Sequence, residues 1–551
     1  MADGESRIAD GRWQMADGES RIADSESPIA NRQSQIATTD NGTPSAMRDT
    51  RYAIRDTPST VRHPQYVIRD TPSALVMTSG NLSEEPIATD NAEARERLAT
   101  LADAFLMHDR DIHIRTDDSV VRVLPPSPVL PSPSGLPSPL RRGVGGEVYP
   151  LRRSRGYAPF PVHLPFDVPQ MCAVGGELKN TFCVTRDRYA FMSHHIGDLE
   201  NFETLQSFEQ GIAHFEKLFR IMPQRLVYDL HPNYLATRYA LARAERENLR
   251  AVGVQHHHAH IAACMAENGL DGTRPVIGVA FDGTGYGDDG AIWGGEFLIA
   301  DYRGYQRAAH LAYVPLPGGD KATREPWRIA LSYLHRAGVE WSDDLSPVRA
   351  ANAATRRIVQ HQIARGINAP LTSSMGRLFD AAAALAGVRQ TVNYEAQAAM
   401  ELEAVVDELE IGSWKLEVGN SKLEIQNSKL EIQNPVPNKD EGSEFEIDVS
   451  PLIRAIVADV RANVAPPIIA ARFHNSIALL TRNVCRWLRE KFDLNEVALS
   501  GGVWQNMTLL RKTLALLRED GFVIYIHRLV PTNDGGIALG QAMVAAVQNL
   551  K

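Results

Sequence analysis

From about Met171 to the C-terminus, short apolar runs alternate with amphipathic segments, and the order occurs twice. CAVG, NTFCVT and YAFMSHHIG read as three strands, followed by a helix with Phe202, Leu205, Phe208, Ile212, Phe215 and Phe219 on one face. LVYDL, a helix from about Tyr234, AVGVQ and a helix opening at a run of histidines complete the unit, and at PVIGVAFDG the order begins again. Alternation of this kind builds α/β layers, and two such units in tandem predict two lobes around a cleft. Clefts between lobes hold ligands.

The rest of the 551 residues is uneven. Residues 1–74 contain no Leu, Phe, Cys or Lys and carry short repeats (MADGESRIAD, then YAIRDTPS and YVIRDTPS), a composition too poor in bulk for a core and expected to be disordered. Segment 75–160 holds ALVMTSGNLSEEP, a helix-like ARERLATLADAFLM and an alternating DIHIRTDDSVVRVL, interrupted by a proline-rich insert at 124–140. Within 171–551, SKLEIQN repeats in an insert at about 411–440, which reads as a loop or hairpin. Lys and Arg number 58 against 67 Asp and Glu, a net charge of −9, so no nucleic-acid partner is expected. The four cysteines, Cys172, Cys183, Cys264 and Cys485, form no C-x-x-C pair, which excludes a cysteine zinc module and points to the cytoplasm. No apolar run approaches the roughly 20 residues of a membrane span.

The densest chemical signal is VQHHHAHIAACMAENG. His256 and His260 stand at i and i+4, where one helical face can present both imidazoles to a single metal ion. His257 and His258 point elsewhere on the helix, as supporting or substrate-facing candidates. A third ligand could come from Asp534 in PTNDGGIALGQ, although taken alone a helix-start aspartate is better read as a cap. Three glycine turns follow apolar strands: AVGGELKNT with Lys179 and Asn180, AFDGTGYGDDG with Asp282, Gly283, Thr284 and Gly285, and ALSGGVWQN with Gly501, Gly502 and Asn506. Backbone N–H groups at such turns cradle phosphates, with Lys179 as countercharge and Asp282 placed to orient a water or a metal. Asp380, Glu395, Gln397 and Glu401 are polar residues on otherwise apolar helices and could equally be solvated faces. RRSRGYAP, from Arg152, reads as solvated surface.

TSGNLSEEP, RTDDSVVRV, LRRSRGYAP, AVGGELKNTFC, HHIGDLEN, YDLHPNY, VQHHHAHIAACMAE, AFDGTGYGDDGAIWGGEF, LTSSMGRLFDA, LSGGVWQN and PTNDGGIALGQ, in this order, resemble the HypF family, carbamoyltransferases of NiFe-hydrogenase maturation. The resemblance implies that 171–551 is a lobe pair of the actin/hexokinase/heat-shock-ATPase fold, akin to the universal tRNA threonylcarbamoyl transferase. It makes 75–160 the C-terminal part of a YrdC-like, carbamoyl-adenylate-forming domain. It implies His256, His260 and Asp534 as ligands of one divalent metal, iron or zinc, with His256, His260 and Asp282 catalytic. The nucleotide site it implies comprises Lys179, Asn180, Asp282, Gly283, Thr284, Gly285, Gly501, Gly502 and Asn506, with Asp380 and Glu395 near the ribose and Ser79, Asn81 and Arg115 in the upstream segment. The implied reaction converts carbamoyl phosphate and ATP to carbamoyl-adenylate and passes the carbamoyl group to the C-terminal cysteine of HypE.

Nothing here matches the family's acylphosphatase-like domain, its zinc modules or the first half of its adenylate-forming domain, so the chain alone is expected not to make carbamoyl-adenylate. Two alternatives stay open. One is a non-catalytic remnant that binds nucleotide or HypE, and the other is a small-molecule O-carbamoyltransferase.

Overall fold

The computed structural model describes residues 78–82, 85–124, 147–406 and 444–548. All of them belong to one unit, Met77–Lys551. The repetitive segment 1–74, the insert at 411–440 and the proline-rich stretch, apart from Leu124, lie outside the described residues.

Two sheets form the frame. In the first, β3 (Val162–Ala173) pairs antiparallel with β4 (Cys183–Met192), while β5 (Arg225–Asp229) and β6 (Arg250–Val254) continue parallel to β3. In the second, β7 (Val276–Tyr286) pairs antiparallel with β8 (Ile292–Ala300), beyond which lie β9 (Tyr305–Leu311), β10 (Val314–Pro315), β11 (Leu371–Thr372) and β12 (Phe445–Ile447), while β13 (Glu496–Ser500) and β14 (Val523–Tyr525) continue parallel to β7. The doubled order of the sequence is thus a doubled sheet pattern, and the α/β expectation holds. Upstream, β1 (Val120–Leu124) and β2 (Glu147–Arg152) form a separate antiparallel pair.

Local differences from the sequence reading have physical causes. The CVT of NTFCVT and YAFM belong to the single strand β4, because its polar middle (Arg186, Asp187, Arg188) lies on a sheet edge open to water and need not turn. Cys172 and Ala173 of CAVG end a longer β3 that already starts at Val162. In the helix α2 (Phe202–Phe219), Phe208, Ile212 and Phe215 are buried, but Phe202, at the first helical position beside the capping Asn201, is exposed. The upstream helix α1 (Asn91–Leu98) stops before LATLADAFLM is used up; it buries no residue, so nothing holds further turns in place. Only the end of DIHIRTDDSVVRVL is strand, since β2 pairs with Val120–Leu124 alone.

RRSRGYAP is solvated surface only in part: Arg155, Gly156 and Pro159 are exposed, but the residues before them are not. Arg153 and Ser154 are buried, and the Arg153 guanidinium donates to the backbone carbonyls of Met192 (2.9 Å), Tyr157 (3.1 Å) and Phe160 (2.6 Å). Burial lowers its pKa to about 10. The segment is therefore a hydrogen-bonded joint between β2 and β3.

A shared layer between the sheets fixes the site. The helices α3 (Leu235–Glu247) and α2 cover one face of the first sheet. On the other side α4 (His256–Glu267) and the last helix, Ile537–Val547, pack against each other in a core that also takes Met171 from β3 and Val276 and Ala280 from β7. Every residue of α4 from His256 to Ala266 is buried.

Candidate metal centre and the adjoining pocket

The parallel strands deliver their carboxyl ends to one place, as ligand sites in open α/β sheets do. Asp229 is the last residue of β5, His256 opens the helix after β6, Asp282 lies in β7, and Ser500 ends β13. Asp534 sits in a short 3-10 turn directly before the last helix. It faces the histidines instead of capping: Asn533, not Asp534, accepts the Gly535 N–H.

His256, His260, Asp282 and Asp534 bring one ligand atom each to within 4.8 Å of one another. His260 Nε2 is 3.0 Å from Asp282 Oδ2 and 3.6 Å from Asp534 Oδ1; His256 Nε2 is 3.5 Å and 3.7 Å from the same two atoms. His256 Nδ1 lies 2.8 Å from Asp229 Oδ2, so its Nε2 points at the carboxylates, yet this nitrogen has no hydrogen-bond partner. The other oxygen of Asp282 is already used. Asp282 Oδ1 accepts from Gly283 N–H (2.7 Å) and Gly502 N–H (3.2 Å), which ties two of the glycine turns together.

Burial opposes charge on the His256 ring, but the Asp534 and Asp229 carboxylates hold its pKa well above the ordinary range. Burial likewise pushes the Asp282 carboxyl up, and the two imidazoles pull it well below. Three buried carboxylates thus face two imidazoles, a cluster short of positive charge. An orphaned buried nitrogen aimed at two carboxylate oxygens fits a divalent cation, and imidazole with carboxylate suits zinc or iron.

The predicted turns converge here. A β-carbon on Gly501 would lie 2.2 Å from the Phe281 carbonyl oxygen, and Gly501 has φ +107°, so the ALSGG turn packs directly on the AFDG strand. One on Gly176 would lie 3.5 Å from Asp534 Oδ2. Asn180 ties its own turn, donating to Val174 and Gly176 carbonyls, and Thr284 and Gly285 continue β7 beside the histidines. Asn506 is committed locally: its Oδ1 caps the helix Met507–Glu519, and its Nδ2 lies 2.8 Å from His474 Nε2.

Next to this centre lies a cavity of about 980 Å³ whose walls include Asn81, Arg115, Lys179, Arg377, Glu395 and Asn533. It joins the upstream segment to both lobes. Lys179 pairs with Glu395, and Asp534 adds to the negative field that raises the Lys179 pKa. Ser79 is not among the lining residues, and Asp380 stands behind the wall, paired with Arg377 at 3.1 Å. Burial raises the Asp380 carboxyl to about 6, against the pull of Arg377. Gln397 is buried, whereas Glu401 pairs with Arg389.

His258 Nε2 is 2.6 Å from the Asp301 carbonyl, and His257 packs against Gly285. Sequence reasoning missed Asp229 and Arg377. Asp229 had a signal, an acidic residue ending the LVYD strand; Arg377 had none.

The two-lobed α/β frame with a buried His2Asp2 cluster at its strand ends defines a candidate metal-dependent, cleft-binding protein. Three family models match the chain: "HypF Kae1-like domain" over residues 167–267, "Carbamoyltransferase, Kae1-like Domain, second subdomain" over 278–541, and the Sua5/YciO/YrdC family described as "Telomere recombination" over 39–131. The last match reaches into the segment read from sequence as a tail. The chain is 40% identical over 485 residues to carbamoyltransferase HypF2 of Cupriavidus necator, covering 86% of this chain and 56% of that protein. It is 36% identical to a carbamoyltransferase HypF homolog of the same organism, over 69% of this chain and 93% of that protein. A crystal structure of full-length HypF in the phosphate- and nucleotide-bound form superposes with TM-score 0.72 at 40% identity, over 85% of this chain and 56% of that one. The chain belongs to the HypF carbamoyltransferase family, and it spans about half the length of the full-length relatives it matches.

Proposed function

We propose that the described lobes transfer a carbamoyl group from carbamoyl-adenylate to a thiolate on another protein, the C-terminal cysteine of HypE, in NiFe-hydrogenase maturation in the cytoplasm. The observation that carries this reading is the His256, His260, Asp282 and Asp534 cluster beside a cavity walled by both the upstream segment and the lobes. Carbamoyl phosphate and ATP are the ultimate substrates. The names of the relatives support the carbamoyl chemistry, and the nucleotide in the full-length HypF structure supports an adenylate.

The residues present suit the roles. Arg115, Arg152, Lys179 and Arg377 line the cavity and supply the positive charge that an adenylate phosphate needs. Asn81 and Glu395 offer polar contacts to the sugar and base, and the backbone N–H groups of the turns at Gly283 and Gly502 hold Asp282 in place. His256, His260 and Asp534, with Asp282, would hold the divalent metal, iron or zinc, which when bound polarises the acyl oxygen and offsets phosphate charge.

The acceptor is not one of this chain's own thiols. Cys172, Cys183, Cys264 and Cys485 are all buried, and burial raises each thiol pKa far above the thiolate-forming range. An external thiolate must enter.

Purified chain incubated with preformed carbamoyl-adenylate and HypE tests the proposal, with mass spectrometry of the HypE C-terminal peptide. We expect a carbamoyl adduct with the wild-type chain and none with His260→Ala. No adduct from the metal-loaded wild type would refute it.

A further inference from the structure

His256 and His260 are both candidate ligands, but they are supported differently. His256 rests directly on a carboxylate, Asp229. His260 Nδ1 instead lies 3.3 Å from Ser500 Oγ, which is 2.8 Å from His527 Nε2. His527 Nδ1 in turn lies at ion-pair distance, 2.7 Å, from Glu267 Oε1, without the alignment of a hydrogen bond. All four side chains are buried, none more than 1% exposed. Glu267 is held in place by the turn that carries His527: its Oε1 accepts the Arg528 N–H (3.1 Å), and its Oε2 accepts those of Leu529 (2.7 Å) and Val530 (3.1 Å). Glu267 and His260 lie two turns apart on the same helix, so the path leaves α4, passes through the last residue of β13 and the segment after β14, and returns to it.

Only one assignment of hydrogens lets His260 face the two aspartates with a lone pair. With Nε2 unprotonated, His260 Nδ1 carries the hydrogen and donates it to Ser500 Oγ. The hydroxyl then donates to His527 Nε2, which leaves the His527 hydrogen on Nδ1, in the field of the Glu267 carboxylate beside it. The hydroxyl thus links the two imidazoles in one order of donors and acceptors, and a fixed anion stands beside the far nitrogen of the second. A buried serine and histidine with no such role would be an expensive way to fill a core.

We propose that Ser500, His527 and Glu267 are positioning residues that act in series, fixing the tautomer and ring orientation of His260 and strengthening it as a metal ligand. The inference rests on the metal reading of the site. Groups that hold a ligand histidine by its far nitrogen typically change metal affinity about 10- to 100-fold when removed.

The test uses the full chain stripped of metal and titrated with Co2+ or Zn2+ against a chelator, with the visible absorption of the Co2+ form as a second readout. Thermal melting of the metal-free protein serves as the folding control. Ser500→Ala and the isosteric Glu267→Gln should each bind metal about 10- to 100-fold more weakly. Both should shift the Co2+ spectrum while the metal-free midpoint holds, and Ser500→Thr, which keeps the hydroxyl, should restore binding. Because the groups act in series, the double variant Ser500→Ala with Glu267→Gln should be no worse than the poorer single one. Affinity within twofold of wild type in folded Glu267→Gln, or losses that multiply in the double variant, would overturn the relay. If Ser500→Ala fails to fold, Glu267→Gln alone decides between these outcomes. A wild-type chain that takes up neither metal would instead remove the site itself, and the relay with it.

Discussion

A β-carbon built on Gly540 would lie 1.8 Å from the carbonyl oxygen of Ala259. Ala259 lies between His256 and His260 on α4, and Gly540 lies on the last helix, six residues beyond Asp534 in the 3-10 turn that leads into it. The separation between the two halves of the site is therefore set by a backbone contact that no other residue type allows. Gly540→Ala should force the helices apart, with a stability loss of about 1–3 kcal/mol or more from overpacking. Denaturant unfolding would measure it, and metal uptake should fall in the same variant. Wild-type stability in Gly540→Ala would mean the helices can slide without cost.

Asp229 and His256 make the second testable pair. The carboxylate is fully buried and also accepts the His231 N–H at 2.9 Å, so Asp229→Asn keeps size and part of the bonding while removing the charge that orients the ring. Metal affinity should drop about 10- to 100-fold, read by chelator competition. An unchanged affinity would leave Asp229 as a packing residue.

Arg153 offers a stability test away from the site. Arg153→Leu removes the donors that satisfy the Met192, Tyr157 and Phe160 carbonyls, and should lower stability by about 2–4 kcal/mol in chemical denaturation. A loss below about 0.5 kcal/mol would mean that water replaces the guanidinium.

The acid limb of stability should report buried neutral histidines. His474 is held between the Ala470 carbonyl and Asn506, and burial lowers its pKa to about 4. His194 is likewise lowered to about 4, by burial and by the neighbouring His214. Each folded pKa lies below the unfolded value of about 6.5, so the unfolded chain binds more protons between the two. The stability these groups provide is complete above about pH 6.5 and is lost as pH falls toward about 4, by roughly 3 kcal/mol for His474. Melting temperatures across this window should fall less steeply in His474→Gln than in wild type. Parallel curves would show that His474 does not titrate with folding.

Near-neighbour patterns determined a good part of this protein. The strand and helix alternation, the buried face of α2 at Phe208, Ile212 and Phe215, the i, i+4 pair His256 and His260, and the glycine turns are periodicities over a few residues, and periodicity is a local property of the chain. Which residues meet across the fold was decided only by tertiary structure. Asp229 reaches His256 because β5 and β6 run parallel in register; Asp282 joins two turns because β13 lies beside β7; His527 reaches His260 through Ser500 because β14 lies beside β13. Arg153 is buried, although its neighbours read as surface, because three carbonyls of a distant strand end and a joint converge on it. Ser500 and His260 are 240 residues apart, and the geometry of such contacts depends on sheet order and helix crossing, which no window of sequence encodes.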